Sequence, residues 1–235
     1  MENKIVVAFD LYGTLLSTDS IVKQLGQHFS NTKAQSISTS WRRYQLEYTW
    51  RLNSMGLYDS FSNITQNSLR HAVAEHGEKL EEAAIDELLK AYDSLSTFPD
   101  IQSTLGQLAN RSEITAVVFS NGTQAMVTNS VRHSPDLSPH SAVFKKVITV
   151  DGVRQFKPAP AVYSHLAEKM GKSPSQMADL WLVSGNPFDV VGARSCGMHA
   201  IWVDRGRRGW MDGVVPDLQP TAVVHDLNDI LTVIQ

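Results

Sequence analysis

Ile5-Val6-Val7-Ala8-Phe9-Asp10-Leu11-Tyr12-Gly13-Thr14-Leu15 is the stretch that decides the fold. Its first five residues form a mostly β-branched apolar run without alternation, which predicts a strand buried on both faces, as in a parallel sheet. The run stops at an aspartate and a glycine-containing turn, so a carboxylate is delivered at the strand's end. Ile114 to Phe119 repeats the pattern and ends in Ser120-Asn121-Gly122. Lys146 to Val150 and Leu180 to Val183 predict two more strands, with Ala200 to Val203 and Ala222 to Val224 as further candidates. Helical stretches such as Pro160 to Met170 and Phe188 to Ser195 lie between them. This alternation predicts an α/β fold, a Rossmann-like doubly wound and mainly parallel sheet.

Residues 17–98 break the alternation. They hold no convincing strand, but helical patterns run over Ser40 to Asn53, Ile64 to Glu75 and Glu81 to Leu95. Roughly 80 residues of helix exceed what a crossover needs. They read as an all-helical cap domain (17–98) inserted into a core of residues 1–16 and 99–235, with Phe98-Pro99 marking the return. The Ser/Pro/His-rich segment His133 to Ser141 reads as a loop.

The 235 residues are 42% hydrophobic and 19% charged, an ordinary globular composition. A net charge of -3 gives no electrostatic case for nucleic acid or an anionic membrane as partner. The short basic run Arg205, Arg207 and Arg208 reads as a solvated loop. Cys196, the single cysteine, allows no intramolecular disulfide and reads as a small buried thiol. Ile5 to Phe9 is too short for a signal-peptide core or a membrane span, so a cytoplasmic protein is expected.

In such a sheet ligands bind beyond the carboxyl ends of the strands. Four polar clusters fall there: Asp10 to Thr14, Ser120-Asn121-Gly122, Lys157-Pro158, and Ser184-Gly185-Asn186 with Asp189 behind it. Alone, each fits a plain structural role as a helix cap, a turn or a surface loop. Together, in this order, they resemble the four motifs of the haloacid dehalogenase superfamily. Within it the chain is most similar to the (S)-2-haloacid dehalogenases. The segment Trp41-Arg42-Arg43-Tyr44-Gln45-Leu46-Glu47-Tyr48-Thr49-Trp50 resembles that family's cap segment bearing a halide-binding arginine.

The resemblance implies a division of roles. Asp10 is the nucleophile, attacking the halogen-bearing carbon and forming an ester. Lys157 keeps Asp10 ionised. Backbone N–H groups near Leu11, Tyr12 and Ser120, with the Ser120 hydroxyl, hold the substrate carboxylate. Arg42 and Asn121 receive the halide, within an apolar wall of Tyr12, Leu46, Phe61 and Phe188. Asp189 is the base for water, oriented by Asn186, Ser184 and Lys157, while Thr14 and Tyr163 position Asp10 and the substrate. Small haloacid and halide are the only ligands implied, with no cofactor, and a homodimer is expected. Relatives commonly carry Ser in place of Gly185 and Trp in place of Phe188; the former is expected to cost a hydroxyl in the water network.

Phosphatases of the superfamily carry a second aspartate two residues after the nucleophile, as acid and magnesium ligand. Tyr12 stands there and does neither job at neutral pH. Asn186 replaces an acidic metal ligand as well, and magnesium prefers anionic oxygens. No metal site is therefore expected, and halide leaves without protonation. A phosphatase with an unusual metal site, an ester-forming hydrolase of another activated bond such as a strained ring, and a non-enzymatic binding module are the alternatives. Arg43 and Glu47 read as a solvent pair, Trp41, Tyr44 and Tyr48 as cap packing, and Phe61 as either cap core or substrate wall.

Overall fold

The computed structural model describes residues 5–234; the outer ends of the expected core, residues 1–4 and 235, lie outside the described residues. The strands are β1 (Ile5–Phe9), β2 (Ile114–Ser120), β3 (Lys146–Thr149), β4 (Leu180–Ser184), β5 (His199–Val203) and β6 (Ala222–Val224). They form one parallel sheet in the order β3-β2-β1-β4-β5-β6. The order reverses at β1, so a crevice opens beyond the carboxyl ends of β1 and its neighbours β2 and β4. Val7, Ala8, Phe9, Val117, Leu182 and Ile201 are fully buried, as unbroken apolar runs require.

The helices are α1 (Val22–Leu25), α2 (Asn31–Met55), α3 (Phe61–Glu75), α4 (Glu82–Tyr92), α5 (Ile101–Leu108), α6 (Gln124–His133), α7 (Pro160–Lys169), α8 (Pro187–Ser195) and α9 (Ile230–Val233). The first four make the helical insert between β1 and β2. The chain leaves and returns side by side: Ser17 N–H donates to Ser96 O and Phe98 N–H to Leu15 O. Helix α2 has 25 residues, about 37 Å at the standard rise. It starts nine residues before the expected Ser40, because polar residues there mask a buried stripe of Ala34, Ile37, Trp41 and Gln45 at helical spacing. Ser30 and Ser60 cap the starts of α2 and α3, and Gly56, at φ 66°, ends α2.

Four local expectations need correction. The segment His133 to Ser141 includes the end of α6 and most of a short 3-10 helix over Ser138–Val143. Cys196 is half-buried. Arg43 pairs with Glu75 across to α3, and Glu47 pairs with Arg51, because the antiparallel neighbour outcompetes the local i,i+4 pair for Arg43. Arg205 belongs to no solvated loop: Nε and Nη2 grip the two oxygens of buried Asp100 at 2.8 and 3.0 Å. Nη2 also donates to Thr14 O, while Asp100 accepts the Leu227 N–H, so one ion pair ties α5, the loop after β1 and the C-terminal segment. Removing one partner of such a pair leaves the other uncompensated, at a cost of about 3 kcal/mol. Asp100→Ala is expected to lose stability on that scale, read as a lower denaturant midpoint at unchanged slope.

Candidate active site

The turn after β1 presents Asp10. Gly13 adopts φ 85°, in the left-handed region open to glycine. Gly13 N–H donates to Leu16 O, and Leu15 and Leu16 N–H donate to Leu11 O. The N–H groups of Leu11 and Tyr12 are left with no acceptor among the described residues. The Asp10 carboxylate is held unequally. Oδ2 accepts from Asn186 Nδ2 at 2.7 Å and Thr14 Oγ1 at 2.8 Å, with Ser184 Oγ farther at 3.4 Å. Oδ1 accepts from Lys157 Nζ alone, at 3.1 Å.

Lys157 is 1% exposed. Its three N–H groups go to Asp10 Oδ1, Asp189 Oδ2 (2.8 Å) and Phe119 O (2.8 Å), and its ammonium lies 4.2 Å from the Phe119 ring centre. Asp189, one turn into α8, is fully buried and takes its second hydrogen bond from the Tyr163 hydroxyl at 2.8 Å. Burial pushes the Asp189 carboxyl above its ordinary range and the Asp10 charge adds to this; Lys157 and the Tyr163 hydrogen bond oppose it. Tyr163 is itself buried, which holds its phenol protonated and a donor. Gly192 makes room for it, since a Cβ there would lie 2.3 Å from the Tyr163 hydroxyl oxygen.

The expected roles shift accordingly. Tyr163 supports Asp189 from behind, sealed from any substrate. Asn186 and Ser184 bind Asp10 instead of orienting Asp189, because they precede α8 and face back toward β1. Asn186 stands at the start of α8, a position where Asn normally caps, yet its amide goes to Asp10 and Tyr12 O. Gly185 contributes its N–H, which donates to Thr14 Oγ1. A Cβ at Gly185 would lie 2.4 Å from Gly13 O, so this backbone has no room for a side chain there.

From the insert, Arg42 reaches down to the site. Nη2 donates to Tyr12 O at 3.2 Å and to Asn186 Oδ1 at 3.4 Å, and Nη1 to Gln45 Oε1 at 2.7 Å. Among the described residues no carboxylate pairs with this half-buried guanidinium. Gln45 also accepts from Tyr92 and donates to Thr65, so a buried chain fixes the arginine. Gln45 was discoverable, three residues from Arg42 on one helix face; Thr65 and Tyr92 give no such signal.

Ser120 is buried and accepts the Gly122 N–H, leaving its own proton free. Asn121 Oδ1 accepts the Lys157 N–H, leaving Nδ2 without a partner among the described residues. Leu46 is half-buried and outside the contiguous apolar core. Tyr12 stacks on Phe61 at 5.7 Å, and Phe61 is buried against Phe156 too, so Phe61 packs the core while backing Tyr12. Trp41, Tyr44 and Tyr48 pack the insert. The Tyr12 hydroxyl is buried with no hydrogen-bond partner among the described residues, at a cost of about 1–3 kcal/mol. Burial holds this phenol far above its ordinary range; the nearby Ser130 hydroxyl opposes the shift but gives its proton to Asp93 O. Phe188 lies farther out, edge-on to Trp50 at 5.4 Å, in a cleft of ≈ 680 Å³ between α2 and the core.

The donor set does not fit a divalent cation. An ammonium meets Asp10 Oδ1, amide and hydroxyl donors meet Oδ2, and Tyr12 is a neutral phenol. No cluster of three or more His, Cys, Asp or Glu side chains suited to a metal occurs among the described residues. Nor is any described helix long and apolar enough to cross a membrane.

The site thus has a carboxylate after β1, a lysine bridging it to a second carboxylate, and a helical insert whose Arg42 reaches it. The haloacid dehalogenase-like hydrolase family matches residues 6–197. The chain belongs to that family. It is a hydrolase, as the motifs led one to expect. An (S)-2-haloacid dehalogenase of Pseudomonas putida is 35% identical over 95% of both chains. Another, of Pseudomonas fluorescens, is 32% identical over 98% of this chain and 96% of its own. The structure of L-2-haloacid dehalogenase from Xanthobacter autotrophicus with chloropropionic acid covalently bound superposes with a TM-score of 0.83, at 27% identity over 98% of each chain.

A base has to be ionised, so with Asp189 in the role the resemblance implies, its raised carboxyl would set where activity is lost as pH falls. The Tyr163 hydrogen bond lowers that carboxyl, and removing it raises it further. In Tyr163→Phe the acid limb of kcat against pH is therefore expected to move to higher pH. A limb left in place would show that Asp189 does not govern it.

Proposed function

We propose that this hydrolase converts short (S)-2-haloalkanoic acids to (R)-2-hydroxy acids through an ester on Asp10, without a metal. The observation that carries the proposal is Arg42: a half-buried guanidinium held beside the nucleophile, with no carboxylate partner among the described residues, offers its charge to an anion. The names of the relatives supply the substrate class, and the covalently bound chloropropionic acid of the Xanthobacter enzyme supports the covalent route.

Asp10 Oδ1, the oxygen with a single donor, attacks C2 from behind, and halide departs with the bonding pair. Because the attack is a back-side displacement, the carbon inverts. The free N–H groups of Leu11 and Tyr12 and the Ser120 proton receive the substrate carboxylate. The register that sets Phe9 against Val118 brings Ser120 alongside Leu11, which supports the grouping. Arg42 and the Nδ2 of Asn121 take the halide, with Tyr12 and Leu46 as apolar surroundings. Residues 17–98 act as a cap over the core of residues 1–16 and 99–235.

Water then adds to the ester carbonyl as Asp189 takes one of its protons. The bond between Cγ and Oδ1 breaks, and the departing alkoxide takes up the proton held by Asp189 and leaves as the hydroxy acid. The proton remaining on the Asp10 carboxyl is released to solvent, so both carboxylates are restored. Esterification removes the Asp10 charge, one of the causes holding the Asp189 carboxyl up, so the base is more fully ionised when it is needed. Phosphate-ester hydrolysis is disfavoured because Tyr12 and Asn186 remove both the acid and the metal ligand, and Lys157 occupies Asp10.

Incubation with (S)-2-chloropropionate is expected to release chloride in the presence of chelator, with the (R) enantiomer spared. Single-turnover quenching followed by peptide mass spectrometry should find the adduct on the Asp10 peptide. Asp10→Asn should lower turnover by several orders of magnitude. Magnesium-dependent chloride release, or no adduct on that peptide, would overturn the mechanism.

A further inference from the structure

The catalytic lysine is held by its side chain on one side and by its backbone on the other, and the backbone grip comes from the helical insert. Asn53, in the last turn of α2, makes two hydrogen bonds to one residue of the core. Its Nδ2 donates to Phe156 O at 2.7 Å and its Oδ1 accepts the Phe156 N–H at 2.9 Å. This is the pattern a neighbouring strand would offer, supplied by a single side chain. The Phe156 N–H has no other acceptor among the described residues. Phe156 immediately precedes Lys157, whose own N–H goes to Asn121 Oδ1.

The Phe156 side chain is gripped from the same direction. Its ring is fully buried, stacked on Tyr58 at 5.3 Å and tilted against Phe61 at 6.3 Å. Tyr58 in turn donates to Asp151 Oδ1 at 2.9 Å, fastening the turn between α2 and α3 to the core. The insert thus holds the backbone on which the lysine stands, while Asp10, Asp189 and Phe119 O hold its ammonium.

We propose that Asn53 is a positioning residue that acts through Phe156 on Lys157, so that seating of the insert sets the ammonium between the two carboxylates. This deepens the haloacid reading and rests on it. An insert that is not seated leaves Phe156 N–H unpaired and the lysine loop free to shift. The nucleophile then meets its counter-ion only when Arg42, on the same helix α2, is also in place. Helix α2 therefore brings the anion-binding guanidinium and the backbone clamp for the lysine together.

The test is Asn53→Leu, matched in branching and heavy-atom count but unable to pair, assayed on (S)-2-chloropropionate with thermal unfolding recorded alongside. A shift of about 1 Å in a catalytic group costs roughly a hundredfold. The expected result is a kcat lower by about ten- to a hundredfold with KM changed much less. The acid limb should also move to higher pH, since Lys157 is what opposes the rise of the Asp189 carboxyl. The charged and titratable groups meeting that carboxyl are Lys157, Asp10 and Tyr163. Asn53→Gln, which keeps both the donor and the acceptor, should recover part of kcat. If Asn53→Leu does not fold, Asn53→Asp is read in the same way, since it keeps the acceptor and loses the donor. A purely structural role would lower the melting temperature and leave kcat per folded molecule and the acid limb where they were. That result, or Asn53→Gln no better than Asn53→Leu, would overturn the proposal. Failure of the haloacid reading shows separately, as wild-type protein forming no adduct on Asp10.

Discussion

One ammonium holds two buried carboxylates in this protein, and the rest of the site is arranged around it. Each ion of such a group costs several kcal/mol to take out of water, and geometry has to return it. Lys157 does so by using every N–H it has, on Asp10, Asp189 and a strand carbonyl. Burial raises the Asp189 carboxyl, and the excess of two negative charges over one positive adds to the rise. On the proposed ester route, forming the ester would remove one of these two charges.

The sheet and the insert divide the work. The ends of β1, β2 and β4 fix Asp10, Ser120 and Ser184, which move only if the core moves. The insert adds the guanidinium of Arg42, oriented through a buried chain of Gln45, Thr65 and Tyr92. Tyr12 sits at the junction: its carbonyl accepts from Arg42 and from Asn186, and its ring lies against Phe61 and Tyr92 of the insert. Its unpartnered hydroxyl is a cost the fold carries at this junction.

The strands were legible because parallel strands buried on both faces read as unbroken apolar runs, and Ile5–Phe9 and Ala222–Val224 fall where that pattern puts them. Asp10, Lys157, Asn186 and Asp189, which the structure brings together, stood out because turns and caps alone do not account for such polar clusters in this order along the chain; Lys157 lies in the loop eight residues past β3. What could not be read was direction. Whether Asn186 faces Asp10 or Asp189, and whether Tyr163 meets substrate or the back of Asp189, depends on rotamers set by packing from Gly13 and Gly192. Arg205 and Asn53 escaped for another reason: their partners, Asp100 and Phe156, are about a hundred residues away in the chain, and no local periodicity records such a closure.

The unequal treatment of the two Asp10 oxygens gives the enzyme a memory. With Thr14 and Asn186 both fixed on Oδ2, the carboxylate has no free rotation by which its oxygens would exchange places. Under the ester route the oxygen that attacks leaves with the product, and the solvent oxygen that replaces it stands in the same position for the next substrate. Each hydroxy acid therefore carries away the water consumed one cycle earlier. On that route the enzyme would keep its other oxygen indefinitely, so of the two oxygens of Asp10 one would be a consumable and one permanent.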